Sequence, residues 1–153
     1  MRILFYKAWE AGDLKDKAIS IWTWGPYSHS ELLFSDGICF SSSWRDDGVG
    51  VRYKDIHIVP KNWACVEVPT TQAQEKQMRY WCDLRAEEKA KYDWRGIIQF
   101  VFPFVRQNDE DWYCSEICIA AFLYAGILNY SMFCSPNCFY RRLQKDGFPV
   151  IPI

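Results

Sequence analysis

The sequence predicts an α+β fold, in which an antiparallel sheet of about five short strands carries helices on one side. Two observations lead to this prediction. Five strand-like segments, separated by turn residues, lie within the first 69 residues, and four helix-like segments follow them. A run of strands followed by a run of helices is typical of α+β proteins, in which the helices are segregated from the strands along the chain.

The strands are predicted from β-prone runs and the turn residues between them. The first is "RILFYKA" near the N-terminus. The segments "HSELLF", "GICFSS" and "GVGVRY" then form a meander with turn chemistry between its strands. The fifth strand is "ACVEVP", which ends at Pro69 because proline cannot donate to a sheet ladder.

The first two helices are predicted from their N-terminal signals. Thr71 and Gln74 fit a capping box at the start of "TTQAQEKQMRYWCDLRAEEKAKY", a run of good helix formers. Asp93 precedes the apolar segment "WRGIIQFVFPFV". We interpret Asp93 as the N-cap of a second helix over 94–105 in preference to a substrate-binding residue.

The last two helices have signals at their ends. One begins near Cys114 and stops at Gly126, which fits the C′ position after a helix. The other has Ser135 as its N-cap, Pro136 as its first residue and Gly147 after its end. These elements complete the predicted series of helices.

Composition limits the class of protein. Half of the 153 residues are hydrophobic, so we expect a single domain over 1–153 with a sizeable core. The formal net charge of -1 argues against a nucleic-acid binder, which needs a basic surplus to contact phosphates. The N-terminus lacks the apolar region of a signal peptide, and no segment has the roughly 18 apolar residues of a membrane span. We therefore expect a cytoplasmic protein.

Cysteine usage fits this expectation. The chain has seven cysteines, an odd number, and we expect thiols rather than a disulfide framework. No cofactor is expected, and the sequence does not indicate an oligomeric state.

Only two histidines are present, and a thiol or hydroxyl nucleophile usually needs one as its base. In "YSHSELLF", strand alternation places His29 and Glu31 on one face of a half-buried strand, where the carboxylate could orient the imidazole or keep it protonated. His57 lies in "DIHIVP", where Ile56 and Ile58 claim the buried face and leave His57 exposed. The residue pattern alone favours a structural and a catalytic role of His29 equally.

Cys114 opens the third predicted helix in "DWYCSEICIAAFLYAG". It shares a helical stripe with Ile117 and Cys118, as an ordinary core residue would. Its place in the first turn also favours a thiolate, because free amide groups and the positive end of the helix dipole stabilise that reactive anion. The acidic run 109–111 opposes a thiolate if it lies close. Position alone therefore favours packing and function equally.

Three short motifs carry a family resemblance: an early "YSH" strand, a central "YDW" at a helix start and a late "YCSE" at another helix start. Together they resemble the circularly permuted papain-like cysteine hydrolases, the YiiX/YebB-like branch of the NlpC-type superfamily. In that branch the histidine precedes the nucleophile helix, as it does here. The resemblance spans nearly the whole chain, from Ile3 to the last helix, and implies a permuted papain-like arrangement of the fold.

The resemblance implies Cys114 as nucleophile, His29 as general base and acid, and the Cys114 backbone amide as a donor to the oxyanion. The third polar residue of the superfamily generally lies on the strand after the histidine strand. Here that strand offers only Ser41 and neighbouring serines. We therefore assign the third catalytic role to Glu31, as the residue that orients His29 or as an acid on the substrate side.

The expected substrate-binding residues flank the catalytic pair. Trp112 and Tyr113 precede the nucleophile and Tyr27 lies near His29, although burial of Trp112 or Tyr113 fits the sequence equally well. The implied reaction is acyl transfer through a thioester, on peptide or isopeptide amides such as peptidoglycan peptides, in a bacterial or bacteriophage setting. Related permuted members act on lipid acyl groups, so a thioesterase or acyltransferase is the alternative.

Two rival interpretations stay open. The pairs Cys114-x3-Cys118 and Cys134-x3-Cys138 provide four thiols that could enclose a tetrahedral zinc. Structural zinc sites favour C-x2-C turns, whereas both pairs fall on predicted helices, so we predict no metal site. Alternatively, the domain is a binding module with an aromatic groove and an inert Cys114.

Overall fold

The computed structural model describes residues 1–44, 50–99 and 111–153, and the elements found there form an α+β arrangement. The strands are β1 (Arg2–Lys7), β2 (Tyr27–Leu33), β3 (Cys39–Ser43), β4 (Gly50–Lys54), β5 (Trp63–Glu67) and β6 (Val150–Ile151). The helices are α1 (Ala8–Ala11), α2 (Leu14–Trp22), α3 (Gln72–Glu87), α4 (Trp94–Gln99), α5 (Cys114–Tyr124) and α6 (Pro136–Lys145). A short 3-10 turn covers Pro60–Asn62. The predicted fold class is confirmed.

The strands form one sheet in the order β4-β3-β2-β1-β5-β6, and each neighbouring pair is antiparallel. The described sheet has six strands where about five were predicted. The extra strand is β6, which pairs two residues with the edge of β5. Two residues are too few for a period-2 pattern in the sequence, so this strand depends on the open edge that β5 offers.

The predicted start of α3 and both predicted ends of α5 and α6 are confirmed, whereas α3 ends at Glu87, before the end of the predicted run at Tyr92. Thr71 Oγ1 accepts from the Gln74 N–H at 3.2 Å, and the Gln74 side chain accepts from the Thr71 N–H at 3.0 Å, which completes the capping box. Ser135 caps α6 by accepting from the backbone N–H three residues on, at 3.2 Å. Gly126 and Gly147 have φ values of +65° and +81°, the left-handed region that favours glycine after a helix.

Parts of two predicted elements lie outside the described residues, namely 100–105 of the second helix and 48–49 of the fourth strand. Asp93 is buried directly before α4, at the position predicted for its N-cap. A Cβ atom on Gly96 would lie 2.5 Å from Asp93 Oδ2 and 2.7 Å from Tyr113 Cδ1. Glycine at this position therefore lets α4 pack against the residue that precedes Cys114.

Helices α1 and α2 were not predicted from the sequence, and in α2 the reason is an inverted pattern of polarity. The buried side of α2 carries the polar residues Asp16 and Ser20 beside Ile19, whereas Leu14 and Ile21 are 84% and 64% exposed. A helix is recognised in a sequence by several apolar residues on its buried stripe, and in α2 Ile19 alone provides that signal. Asp16 Oδ1 accepts from the Ser28 hydroxyl at 2.7 Å, which attaches α2 to the start of β2.

Two apolar clusters cover the two faces of the sheet. The larger lies between the sheet and the helices α3, α5 and α6, and its fully buried members include Phe5, Leu32, Met78, Phe122 and Phe139. The smaller lies on the other face of the sheet, where strand residues pack against Ile56 and Ile58. Its buried members are Leu4, Leu33, Cys39, Trp63 and Cys65. Each full burial of a large apolar side chain stabilises the fold by roughly 1.5–3 kcal/mol.

Strand β2 is buried along its whole length. The prediction of a half-buried histidine strand is therefore wrong. β2 is an interior strand between β1 and β3, and apolar clusters cover both faces of the sheet. His29 and Glu31 consequently lie in the protein interior, where charges interact strongly.

Candidate active site

Helix α5 begins at Cys114, and hydrogen bonds on both sides of this residue hold the helix start. The Tyr113 hydroxyl donates to the Met132 carbonyl at 2.9 Å and accepts from the Cys134 N–H at 3.2 Å. The Ser115 hydroxyl donates to the Cys134 carbonyl at 2.6 Å. Tyr113 and Ser115 are both fully buried, so the Cys114 backbone is held in place by both of its neighbours.

Strand β2 presents His29 and Glu31 at alternate positions, and their side chains meet. His29 Nε2 lies 2.7 Å from Glu31 Oε1, as expected for two residues on one face of a strand. Asn137 of α6 holds the start of β2, because its Oδ1 accepts from the Tyr27 N–H at 2.9 Å and its Nδ2 donates to the Tyr27 carbonyl at 2.7 Å. Helix α6 thus fixes the strand two residues before His29.

The fold brings the Cys114 thiol beside the His29 imidazole, where each group shifts the pKa of the other. The backbone amides of Ser30 and Ser115 also lower the pKa of this thiol. His29 is 5% exposed and Cys114 is completely buried, so both groups are shielded from solvent.

A residue absent from the sequence predictions, Arg52, completes this cluster. Its Nη1 donates to Glu31 Oε2 at 2.9 Å and its Nη2 donates to Glu31 Oε1 at 2.6 Å, a two-point contact with the carboxylate. Arg52 lies on β4, and β3 separates β4 from β2. A sequence shows neither strand order nor register. It therefore could not indicate that an arginine in the fourth strand contacts a carboxylate in the second strand.

The pKa values of the cluster follow from burial and from the neighbouring charges. Burial raises the pKa of Cys114, but His29 and the backbone amides of Ser30 and Ser115 lower it by a larger amount. The net pKa of Cys114 is therefore below its usual value. Burial lowers the pKa of His29, but Cys114 and Glu31 outweigh it and raise that pKa to about 9. Burial raises the pKa of Glu31, but Arg52 and His29 outweigh it and lower that pKa to about 2. At neutral pH the site therefore holds a carboxylate and an imidazolium beside a thiol that readily ionises.

Other polar residues near the cluster have separate roles. The Ser41 hydroxyl donates to the Ser30 carbonyl at 2.7 Å, so the alternative third residue is engaged with backbone. The Cys118 thiol lies 3.8 Å from the same carbonyl, and burial raises its pKa well above the usual value. From the acidic run, Asp111 accepts from the Lys91 N–H at 3.2 Å, and 109–110 lie outside the described residues.

The predicted substrate-binding residues are largely interior. Tyr27 is buried against Phe5 and Tyr140, with ring centroids 5.5 Å and 4.6 Å away. Tyr113 is fully buried at the start of α5, and Trp112 is half-buried with its ring edge-on to Trp81. Tyr27 and Tyr113 thus lie in the core and not on an open groove wall. A substrate contact stays a prediction for all three residues.

The cysteines differ in part from the expectation of seven thiols. Cys134 and Cys138 form a disulfide, whereas the other five cysteines, Cys114 and Cys118 among them, are thiols. Cys134 also precedes α6 instead of lying in a helix. Two of the four sulfurs proposed as zinc ligands are therefore bonded to each other. Within 1–44, 50–99 and 111–153, no group of three or more histidine, cysteine or acidic residues could hold a metal ion.

Comparisons of the chain with protein-family models, with curated proteins and with solved structures found no match. None of the helices among the described residues has the length and apolar character needed to cross a bilayer.

Proposed function

We propose that the protein is a cysteine hydrolase that cleaves a peptide or isopeptide amide bond through a thioester intermediate. One observation supports this most strongly. The Cys114 thiol, on the first residue of α5, lies beside the His29 imidazole, whose Nε2 is bound by Glu31. A thiol beside an imidazole that a carboxylate orients is what nucleophilic catalysis by cysteine requires.

In the proposed reaction the Cys114 thiolate attacks the substrate carbonyl carbon, and an electron pair moves onto the carbonyl oxygen. The Cys114 backbone N–H, at the positive end of α5, donates to this oxyanion. Collapse of the intermediate expels the amine, which takes a proton from the His29 imidazolium, and leaves a thioester on Cys114. Water then attacks the thioester, gives a proton to His29 and releases the carboxylic acid, which restores the thiolate and the imidazolium.

The order of the elements supports a permuted papain-like arrangement. The histidine strand β2 precedes the nucleophile helix α5 in the chain, and α5 packs on the sheet that contains β2. This is the order that the resemblance of the "YSH" and "YCSE" motifs implies. The permuted arrangement therefore belongs to the proposal, together with the amide substrate.

The rival functions differ in the leaving group or in access to the sulfur. A thioesterase or lipid acyltransferase would form the same acyl-Cys114 intermediate and differ in its substrate and acceptor. A binding module would keep Cys114 as inert as any buried thiol. Because Cys114 is completely buried, the rate at which a reagent reaches and attacks it separates the enzyme from the binding module.

The test is the relative alkylation rate of the five thiols by iodoacetamide, read by peptide mass spectrometry. Cys118 is the internal control, because it lies on the same helix and is equally buried, but has a raised pKa. We expect Cys114 to react at least about tenfold faster than Cys118 at neutral pH, since thiolate is the attacking form. His29→Ala should slow the alkylation of Cys114 and leave that of Cys118 unchanged. His57→Ala, at an exposed position, should change neither alkylation rate.

Substrate class is tested by intact mass. The protein is exposed to a panel of peptide amides, thioesters and lipid esters, with Cys114→Ser as the control. An acyl adduct on Cys114 from peptide amides supports the amidase, whereas an adduct only from lipid esters supports the alternative.

If Cys114 is alkylated no faster than Cys118, the enzyme proposal is wrong.

A further inference from the structure

The Arg52 guanidinium binds the carboxylate at the end of the catalytic cluster farthest from the sulfur. The Arg52 side chain is 14% exposed and the Glu31 side chain 1% exposed, so their two hydrogen bonds lie in the interior. Arg52 pairs with Ser41 of β3 in the sheet register, and β3 lies between β4 and β2. Adjacent strands are about 4.8 Å apart, so only a long side chain reaches across β3 to Glu31.

Charge counting gives Arg52 a role beyond holding Glu31. With Arg52 present, a thiolate on Cys114 and an imidazolium on His29 leave the four-residue cluster with no net charge. Without Arg52, the Glu31 carboxylate, the imidazolium and a thiolate together carry a net charge of about -1, and neutrality requires a proton on Cys114 or on Glu31. An uncompensated charge in a protein interior is costly, so the arginine decides which of these two states is favoured.

We propose that Arg52 is a positioning residue whose fixed positive charge allows two buried anions, the Glu31 carboxylate and the Cys114 thiolate, to share one imidazolium. Arg52 does not contact the sulfur and acts through Glu31 and His29. The inference rests on the proposed function, because it concerns the resting state of the same nucleophile. It adds a fourth member to the Cys–His–Glu cluster and explains how both anions are tolerated.

Other titratable groups near the cluster do not supply this charge. On β3 the Cys39 thiol is kept neutral by burial, and on α5 the Cys118 thiol is kept neutral in the same way. The remaining groups of α5 and α2 that face this region are acids or a phenol: Glu116, Tyr113 and Asp16. Arg2 and Asp55 act on the Cys39 thiol, but the charges that shift the pKa values of Cys114, His29 and Glu31 are those of the cluster itself. Among these described neighbours, Arg52 is therefore the cation that balances the second anion.

The test is the pH dependence of Cys114 alkylation in Arg52→Gln, Arg52→Lys and the double variant Glu31→Gln/Arg52→Gln. Arg52→Gln should move the half-point of the alkylation rate up by about one pH unit or more, a tenfold loss of thiolate below it. Arg52→Lys keeps the charge without the two-point contact and should shift the half-point less. The double variant removes one charge of each sign and should restore most of the lost rate.

The double variant separates charge balance from a structural role. If Arg52 only packed the sheet, losing its partner as well would leave the alkylation of Cys114 as slow or slower. Arg79→Gln is the matched control, because Arg79 binds Asp36 at 2.8 Å in a partly exposed pair on another part of the molecule. It should leave the half-point unchanged.

Each outcome decides between the two proposals. Fast alkylation of wild-type Cys114 with an unchanged half-point in Arg52→Gln overturns the role of Arg52 and leaves the proposed function intact. Alkylation of wild-type Cys114 no faster than that of Cys118 overturns the proposed function first. If Arg52→Gln does not fold, the double variant decides alone. Rapid alkylation of Cys114 in the folded double variant supports charge balance, and slow alkylation of Cys114 in it overturns charge balance.

Discussion

Replacing Glu31 with glutamine should lower the pKa of His29 and leave Cys114 reactive toward alkylation. The His29 pKa is raised from 6.5 to about 9, although burial opposes that rise. At 1.36 kcal/mol for each pKa unit, the neighbouring groups favour the imidazolium by a net amount on the order of 3 kcal/mol. Cys114 and Glu31 supply this together, so removal of the Glu31 charge should lower the His29 pKa by at least about one unit.

The Arg52 guanidinium that remains in Glu31→Gln makes the expected fall in the His29 pKa larger. In Glu31→Gln the Arg52 guanidinium loses its carboxylate and adds a positive charge near the imidazolium. The cluster then has no net charge when Cys114 is a thiolate and His29 is neutral. We therefore expect alkylation of Cys114 to persist at neutral pH while amide cleavage falls, because a neutral imidazole has no proton for the leaving amine.

The assay is an NMR titration of the imidazole ring protons. The chain has only two histidines, and the exposed His57 serves as the internal reference in every spectrum. Glu67→Gln is the matched substitution, because Glu67 is an exposed glutamate on β5. A His29 signal that titrates at the same or a higher pH in Glu31→Gln than in the wild type would refute this account of the site.

Total stability is a poor readout of this pair, because the two residues make opposite contributions to its pH dependence. The raised pKa of His29 stabilises the fold fully below pH 6.5, and this contribution is lost as the pH rises to about 9. The lowered pKa of Cys114 stabilises the fold above its usual value of 9, and this contribution is lost as the pH falls. Where the two pH ranges overlap, the two contributions change with pH in opposite directions, so each masks the other.

Two further predictions concern the parts that hold the site. Asn137→Ala removes the hydrogen-bond partners of the Tyr27 backbone and should lower the free energy of unfolding by about 3 kcal/mol in a denaturant titration. The control Asn129→Ala, at an exposed position, should lower it by less than about 0.5 kcal/mol. A loss of under about 1 kcal/mol in Asn137→Ala would contradict the role of Asn137. Reduction of the disulfide between Cys134 and Cys138 should cost about 2 kcal/mol through the loop entropy that the unfolded chain regains, and an unchanged denaturation midpoint in excess dithiothreitol would contradict it.

Local signals in the sequence were sufficient for much of the secondary structure. The capping box at Thr71, the proline that follows Ser135 and the glycine at 126 act through the backbone within a few residues, so they mark the helix ends without reference to the rest of the fold. Strand alternation in the same way places His29 and Glu31 on one face, and their contact follows from a spacing of two residues.

Helix α2 and β6 show where local signals fail. α2 buries Asp16 and exposes Leu14, since its buried side combines one apolar residue, Ile19, with polar residues held by hydrogen bonds such as that with Ser28. β6 forms because an edge of β5 is free to pair with it. Both elements depend on a partner distant in sequence, and a local pattern contains no information about that partner.

For the candidate site, the residue types and the order of a histidine strand before a helix opened by Cys114 could be read directly from the sequence. Which of these residues meet depends on the folded chain. Folding places the thiol against the imidazole, buries Tyr27 and Tyr113, joins Cys134 to Cys138 and brings Arg52 across one strand to Glu31. The physical reason is that contacts within one strand or one helix turn depend on backbone periodicity, whereas contacts between elements depend on strand order, register and packing over the whole chain.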